Sequence, residues 1–316
     1  MAQTENARFT RFTVEDGLSQ GSVVSIFQDH QGFLWLGTLD GLNKFDGYTF
    51  QIYKHDIFDS SSLSNNWINC IYEDRSATLW IGTRNGLNRF VRGTEKFIRY
   101  LHAPTAPTSR RNNNVRAILE DRFGMLWVGA GKEVHCFDRK QQQLTAYLHD
   151  PNDPTTLSDN GVTAIYEDRR GELWVGTVNG LNRLERKSNT FKRYSFAPTV
   201  PTKIDPRNHV RSIAEDRHGN LWLAMFEGLI EFAPHSETYK CFRHDPNDAR
   251  SLSQNLLNFI FADQSGRLWI GTAGGGLNRF DSETKTFRRV VDWHREWLKS
   301  HGGGASAISA HPARGR

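Results

Sequence analysis

The chain has 316 residues, 37% hydrophobic and 24% charged, with a formal charge of +5. No stretch approaches the run of about 18 apolar residues that a membrane helix needs, so no membrane segment is expected. Lys and Arg alternate with Asp and Glu throughout instead of clustering on one stripe, which argues against a nucleic-acid surface.

In chain order, Met1 to Arg11 carries two arginines and no apolar core, so no signal peptide is read there, and residues 1–7 are taken as an extension. Phe9 to Val14, followed by Gly17-Leu18-Ser19, reads as an outer strand and the loop leading out of it. Six similar units then begin near residues 22, 67, 114, 161, 209 and 256. Each carries Leu-Trp, with Trp35, Trp80, Trp127, Trp174, Trp222 and Trp269 spaced 45 to 48 residues apart. Six residues before each Trp stands an Asp: Asp29, Asp74, Asp121, Asp168, Asp216 and Asp263. A Gly follows three residues after that Asp in every unit except the second, which has Ala77.

The second unit shows the internal plan: Ile68 to Glu73, Leu79 to Thr83, Gly86 to Phe90 and Lys96 to Tyr100 alternate as short strands a, b, c and d. The Asp-x-x-Gly link suits a tight a-to-b hairpin. Four strands per unit of this length predict an all-β fold, a β-propeller of four-stranded blades over residues 8–290, with a solenoid of β-arches as the alternative. Strand b is apolar on both faces because blades cover both, and its glycines (Gly37, Gly82, Gly129, Gly176, Gly271) are expected to let crowded backbones approach. Extending the spacing beyond Trp269 puts a seventh Trp at 314 to 317, where the chain stops. Six complete repeats, an N-terminal d strand and a truncated seventh blade are therefore expected. Residues 291–316 form a disordered tail or part of that blade. The open faces at such a gap invite association between copies.

Leu79-Trp80-Ile81-Gly82-Thr83 followed by Gly86-Leu87-Asn88-Arg89-Phe90 resembles the two-component regulator propeller repeat, and the match recurs over residues 22 to 290. Repeat three departs from it with Ala130-Gly131-Lys132-Glu133-Val134, and repeat five with Ala224-Met225-Phe226-Glu227-Gly228. The resemblance implies the exported, periplasmic sensor region of a bacterial histidine kinase or diguanylate cyclase. It also implies a transmitter domain supplied by a longer protein or a partner.

Several motifs have structural readings. Gly17-Leu18-Ser19-Gln20-Gly21 matches a nucleophile elbow, but Ser64, Ser158 and Ser253 occupy the same d-to-a loop, so Ser19 is a loop residue. Gly274-Gly275-Gly276 lengthens a b-to-c turn. Acidic pairs such as Glu73-Asp74 and Glu167-Asp168 recur at the end of strand a and read as turn formers, not as a glycosidase pair. Cys70, Cys136 and Cys241 lack metal-ligand or disulfide spacing and read as buried thiols; no metal or cofactor is expected.

Candidate binding residues come from aligning strand a on its terminal Asp. Seven residues earlier stand Ser22, Trp67, Asn114, Gly161, His209 and Leu256. Five earlier stand Val24, Asn69, Arg116, Thr163, Arg211 and Asn258. These positions vary while their neighbours stay aliphatic, so they are placed on one face bordering the central channel. The b-to-c turns open on the same rim and add Arg84, Lys132, Glu133 and Phe226. Arg116 and Arg211 suit a carboxylate, sulfate or phosphate, and Trp67 a sugar face, so a small soluble ligand such as an acidic oligosaccharide is expected. The chain is read as no enzyme by itself. The alternatives are a lyase or glycosidase using Glu133, Glu227 and His209, or a protein-interaction scaffold.

Overall fold

A computed structural model of the chain describes residues 12–100, 113–141, 143–197 and 205–290. They form 24 strands in six four-stranded antiparallel sheets, each paired in the order a-b-c-d, arranged as a six-bladed propeller. In blade 2 the strands are Ile68–Glu73, Leu79–Thr83, Gly86–Val91 and Lys96–Tyr100. The innermost a strands are Val23–Gln28, Ile68–Glu73, Val115–Glu120, Val162–Glu167, Val210–Glu215 and Leu257–Ala262.

The Asp of each repeat folds the a-to-b turn and does more besides. Asp29 Oδ1 accepts the backbone N–H groups of Gln31 and Phe33, and Gly32 takes a left-handed φ of +90°. Ala77 holds that left-handed position in blade 2 at φ +59°. The second oxygen, Asp29 Oδ2, accepts the indole N–H of Trp35 at 2.9 Å. The same bond recurs in the other five blades between 2.7 and 2.9 Å. The six-residue spacing is therefore a fold requirement: it lets one carboxylate satisfy both a turn and the one polar atom of a buried Trp.

Blades pack by interleaving. Trp35 and Phe27 of blade 1 meet Ile68, Ile81 and Phe90 of blade 2 in one cluster. Glycine in strand b is required because a Cβ on Gly82 would lie 2.5 Å from Cys70 Sγ and 2.7 Å from Val115 of blade 3. The crowding comes from side chains of strand a, in the same and the next blade, and not from approaching backbones. Consecutive a strands pack on one another from blade 1 to blade 6, whereas among the described residues the a strands of blades 6 and 1 do not form such a contact. The tryptophans of blades 1 to 5 are buried and Trp269 is half-buried.

Three expectations are corrected or bounded. Of the strand expected over Phe9 to Val14, only residues from Phe12 on are described; Val14–Asp16 is a 3₁₀ turn capped by Thr13, not a strand. Phe12 nonetheless packs against Phe45 and Phe50, as Tyr53 packs against Phe90 and Phe97 of the following blade. It thus fills the place of a preceding blade's last d-strand aromatic. Cys241 is exposed, unlike Cys70 and Cys136, because strand d is the outermost of its sheet. The expected tail over residues 291–316 lies outside the described residues.

The acidic pairs are more than turn formers. Glu73 accepts the backbone N–H of His30 in the preceding blade at 2.8 Å. Glu120, Glu167 and Glu215 do the same for Arg75, Arg122 and Arg169. Each such Glu is an inter-blade clamp. Ser19 is held by Thr38 at 2.8 Å and by Asn43, an arrangement repeated at Ser64 and Ser158, which gives it a structural role.

Candidate functional site

Every a strand carries a β-bulge at the same place. Pairing with strand b skips Val24, Asn69, Arg116, Thr163, Arg211 and Asn258 in the six blades. These are the variable residues five before the Asp. A bulge leaves one residue outside the ladder and re-aims its side chain, so the variable residue is free of the alternation that fixes its neighbours in the core. The residues seven before the Asp precede the strand, and their carbonyls accept the N–H of the b-to-c turn. Trp67 receives Arg84 at 3.0 Å, Asn114 receives Gly131 at 3.0 Å, and His209 receives Phe226 at 3.1 Å. One rim therefore brings bulge residues and b-to-c turns together.

On this rim two aromatic surfaces stand exposed. The Arg84 guanidinium lies 4.9 Å over the Trp67 ring, and the Phe226 ring stacks on His209 at 5.8 Å with planes 5° apart. Trp67 is 37% and Phe226 39% exposed, which makes both available to a flat ligand face.

Arg116 and Arg211 sit on the bulges of blades 3 and 5, flanking blade 4. Neither makes an ion pair or hydrogen bond among the described residues, whereas Arg92, Arg139 and Arg186 hold blades together through Asp and Glu. Burial and the charge of Arg116 hold the Arg211 guanidinium below its ordinary value. Burial, then Arg211 and Arg116, push the His209 imidazole down to about 4 against the opposing pull of Asp159. The rim here is thus cationic, with the His209 imidazole lying in the field of both guanidiniums. Asp159, in the d-to-a loop of blade 4, was not among the residues expected from the sequence; nothing in the repeat pattern marks it.

The remaining candidates divide. Asn69 donates to Asn114 Oδ1 at 2.7 Å and to the Val115 carbonyl at 2.8 Å, so it clamps blade 2 to blade 3. Thr163 likewise bonds the Val210 carbonyl. Lys132 is exposed in the turn of blade 3, and Asn258 occupies the bulge of blade 6. Glu133 is not in the turn: it opens strand c, pairs with Ala130, and lies 3.4 Å from His135. Glu227 is exposed beside Phe226.

These features define a β-propeller whose channel rim carries unpaired arginines and exposed aromatics. A family model described as two-component regulator propeller matches residues 17–40, 62–85, 109–132, 156–179 and 205–227, so the chain carries five repeats of that kind. Histidine kinase P4 of Formosa agariphila is 59% identical over 63 residues, 20% of this chain and 5% of that protein. The extracellular domain of BT3049 of B. thetaiotaomicron, described as a hybrid two component system, superposes with a TM-score of 0.72 at 30% identity. That match covers 90% of this chain and 37% of that one. Virginiamycin B lyase of Staphylococcus aureus, solved with quinupristin, has a TM-score of 0.64 at 14% identity over 92% of this chain and 88% of the lyase, a likeness of fold alone. This chain spans a small part of the kinase and just over a third of the BT3049 domain, and it is similar to a propeller module of signalling receptors.

Proposed function

We propose that the chain is the sensing propeller of a bacterial signalling receptor, working in the periplasm and passing its signal to a transmitter domain in a longer protein or partner. Its ligand is a small soluble anion-bearing molecule, with acidic oligosaccharides as the class, bound on the rim without a cofactor or a catalytic step. The observation that carries this reading is the pair Arg116 and Arg211, two guanidiniums on bulges with no carboxylate partner among the described residues. Like charges held close without a counter-ion are costly, and a carboxylate or sulfate accepting bidentate hydrogen bonds relieves that cost. Trp67 and Phe226 supply the apolar faces on which sugar rings stack.

Calorimetric titration with oligosaccharides of equal length, neutral and acidic, tests the reading. Saturable binding confined to the acidic series, weakening as salt is raised, is expected. Equal binding of neutral and acidic sugars, or none of either, would overturn it.

A further inference from the structure

The opposite rim, where strands a end and c-to-d turns cross, carries a second recurring device. In three successive turns an arginine reaches back over the blade interface. Arg92 bonds Asp29 Oδ2 at 2.9 Å and Glu73 Oε1 at 2.5 Å. Arg139 lies 2.7 Å from Asp74 Oδ2 and 3.9 Å from Glu120 Oε1. Arg186 lies 3.0 Å from Asp121 Oδ2 and 3.8 Å from Glu167 Oε1. The next turn in register has Pro234 in place of the arginine, although the acids it would meet, Asp168 and Glu215, are both kept. One interface further on, the Glu position is Ala262 and the turn residue is Ser282, so the device is lost on both sides.

Between blades 4 and 5 the acids therefore stand without the turn arginine of the sister blades, and Glu215 Oε2 instead has the largely exposed Arg169 guanidinium at 3.8 Å. Asp168 is 6% and Glu215 5% exposed. Glu215 Oε2 accepts the Arg169 N–H at 2.9 Å, as its counterparts do, while Oε1, the atom the arginines reach elsewhere, has no hydrogen bond among the described residues. Burial, with Asp168 and Asp216 nearby, raises the Glu215 carboxyl above its ordinary value, against the pull of Arg169. Asp168 and Glu215 both line a cavity of about 60 Å³, together with residues that include Arg170, His218, Asn220, Pro234 and His235. That is several times the roughly 10–15 Å³ that one water requires.

We propose that this cavity binds a guanidinium group carried by another molecule, with N–H groups directed at Asp168 Oδ2 and Glu215 Oε1 as Arg92 directs its own at Asp29 and Glu73. A planar fork is selected over an ammonium because two acceptors on different blades must be met at once. The group comes from a free guanidine compound or from an arginine side chain of a peptide. The inference is independent of the anion site, which lies on the other rim.

The test is a ¹H–¹⁵N NMR titration of the whole chain with methylguanidinium and, at matched ionic strength, methylammonium. Saturable shifts at the amides of His218, Asn220 and His235 with methylguanidinium, at least tenfold weaker with methylammonium, are expected. Pro234→Arg restores the cation of the sister blades and should raise the melting temperature and abolish the shifts. Glu215→Gln, which keeps the shape, should weaken binding at least tenfold and guards against a misfolded arginine variant. Tenfold tighter binding of an arginine-containing peptide than of agmatine assigns the peptide source, and parity assigns the free compound. Absent shifts with methylguanidinium, equal shifts with methylammonium, or shifts retained in Pro234→Arg would overturn the proposal.

Discussion

His209 reports directly on the field at the anion rim. Its imidazole is lowered from 6.5 to about 4 by burial and by the two arginines. At 1.36 kcal/mol per unit this is about 3 kcal/mol at most, less where water screens the half-exposed ring. A histidine lowered in the folded state leaves the unfolded chain as the better proton binder. Stability is therefore complete above pH 6.5 and declines as pH falls toward 4. Urea unfolding across that window should show the decline in the wild type and a shallower one in His209→Gln. An NMR titration of the ring should place its midpoint near 4, and Arg116→Ala with Arg211→Ala should raise it without reaching 6.5, because burial, the largest cause, remains. An anion resting on the arginines raises it too, so ligand binds more tightly near pH 5 than at pH 7. A midpoint near 6.5 in the wild type, or one unmoved by the double replacement, would refute the electrostatic account of the rim.

Removing Arg139 strands the fully buried Asp74 carboxylate, so Arg139→Ala should cost about 2–4 kcal/mol in urea denaturation. Arg169→Ala, whose guanidinium is 60% exposed and 3.8 Å from Glu215, should cost less than about 1 kcal/mol; equal losses would contradict the clamp. Gly82→Ala drives a methyl into Cys70 and Val115 and should lose about 1–3 kcal/mol. Gly93→Ala, with nothing within 4 Å of its new Cβ, is the near-neutral control in the same thermal melts.

The blade plan was legible because it repeats: strand bounds in blade 2 fall where the alternation and turn residues place them, and the Asp-to-Trp interval is fixed in every unit. What the interval is for was not, since an indole donating to a carboxylate six residues earlier is a contact across a turn, invisible to periodicity. The variable positions on strand a were visible, yet they were read as one face of a regular strand. The bulge that re-aims Arg116 and Arg211 leaves no mark in residue type. Asn69 looked like its ligand-facing neighbours until its amide was seen to bridge to Asn114. Arg92, Arg139 and Arg186 stand 47 residues apart and could have been found by aligning the c-to-d turns. Their partners Glu73, Glu120 and Glu167 were absorbed into the turn reading because only the adjacent Asp had an evident local duty.

Ligand affinity and melting temperature measured together on Arg116→Ala/Arg211→Ala bear most directly on the claim that the rim senses an anion. The account predicts that the acidic oligosaccharide bound by the wild type loses at least a hundredfold in affinity, while the melting temperature holds or rises as the mutual repulsion is removed. Unchanged affinity with a lowered melting temperature would make the two arginines structural and the site misplaced.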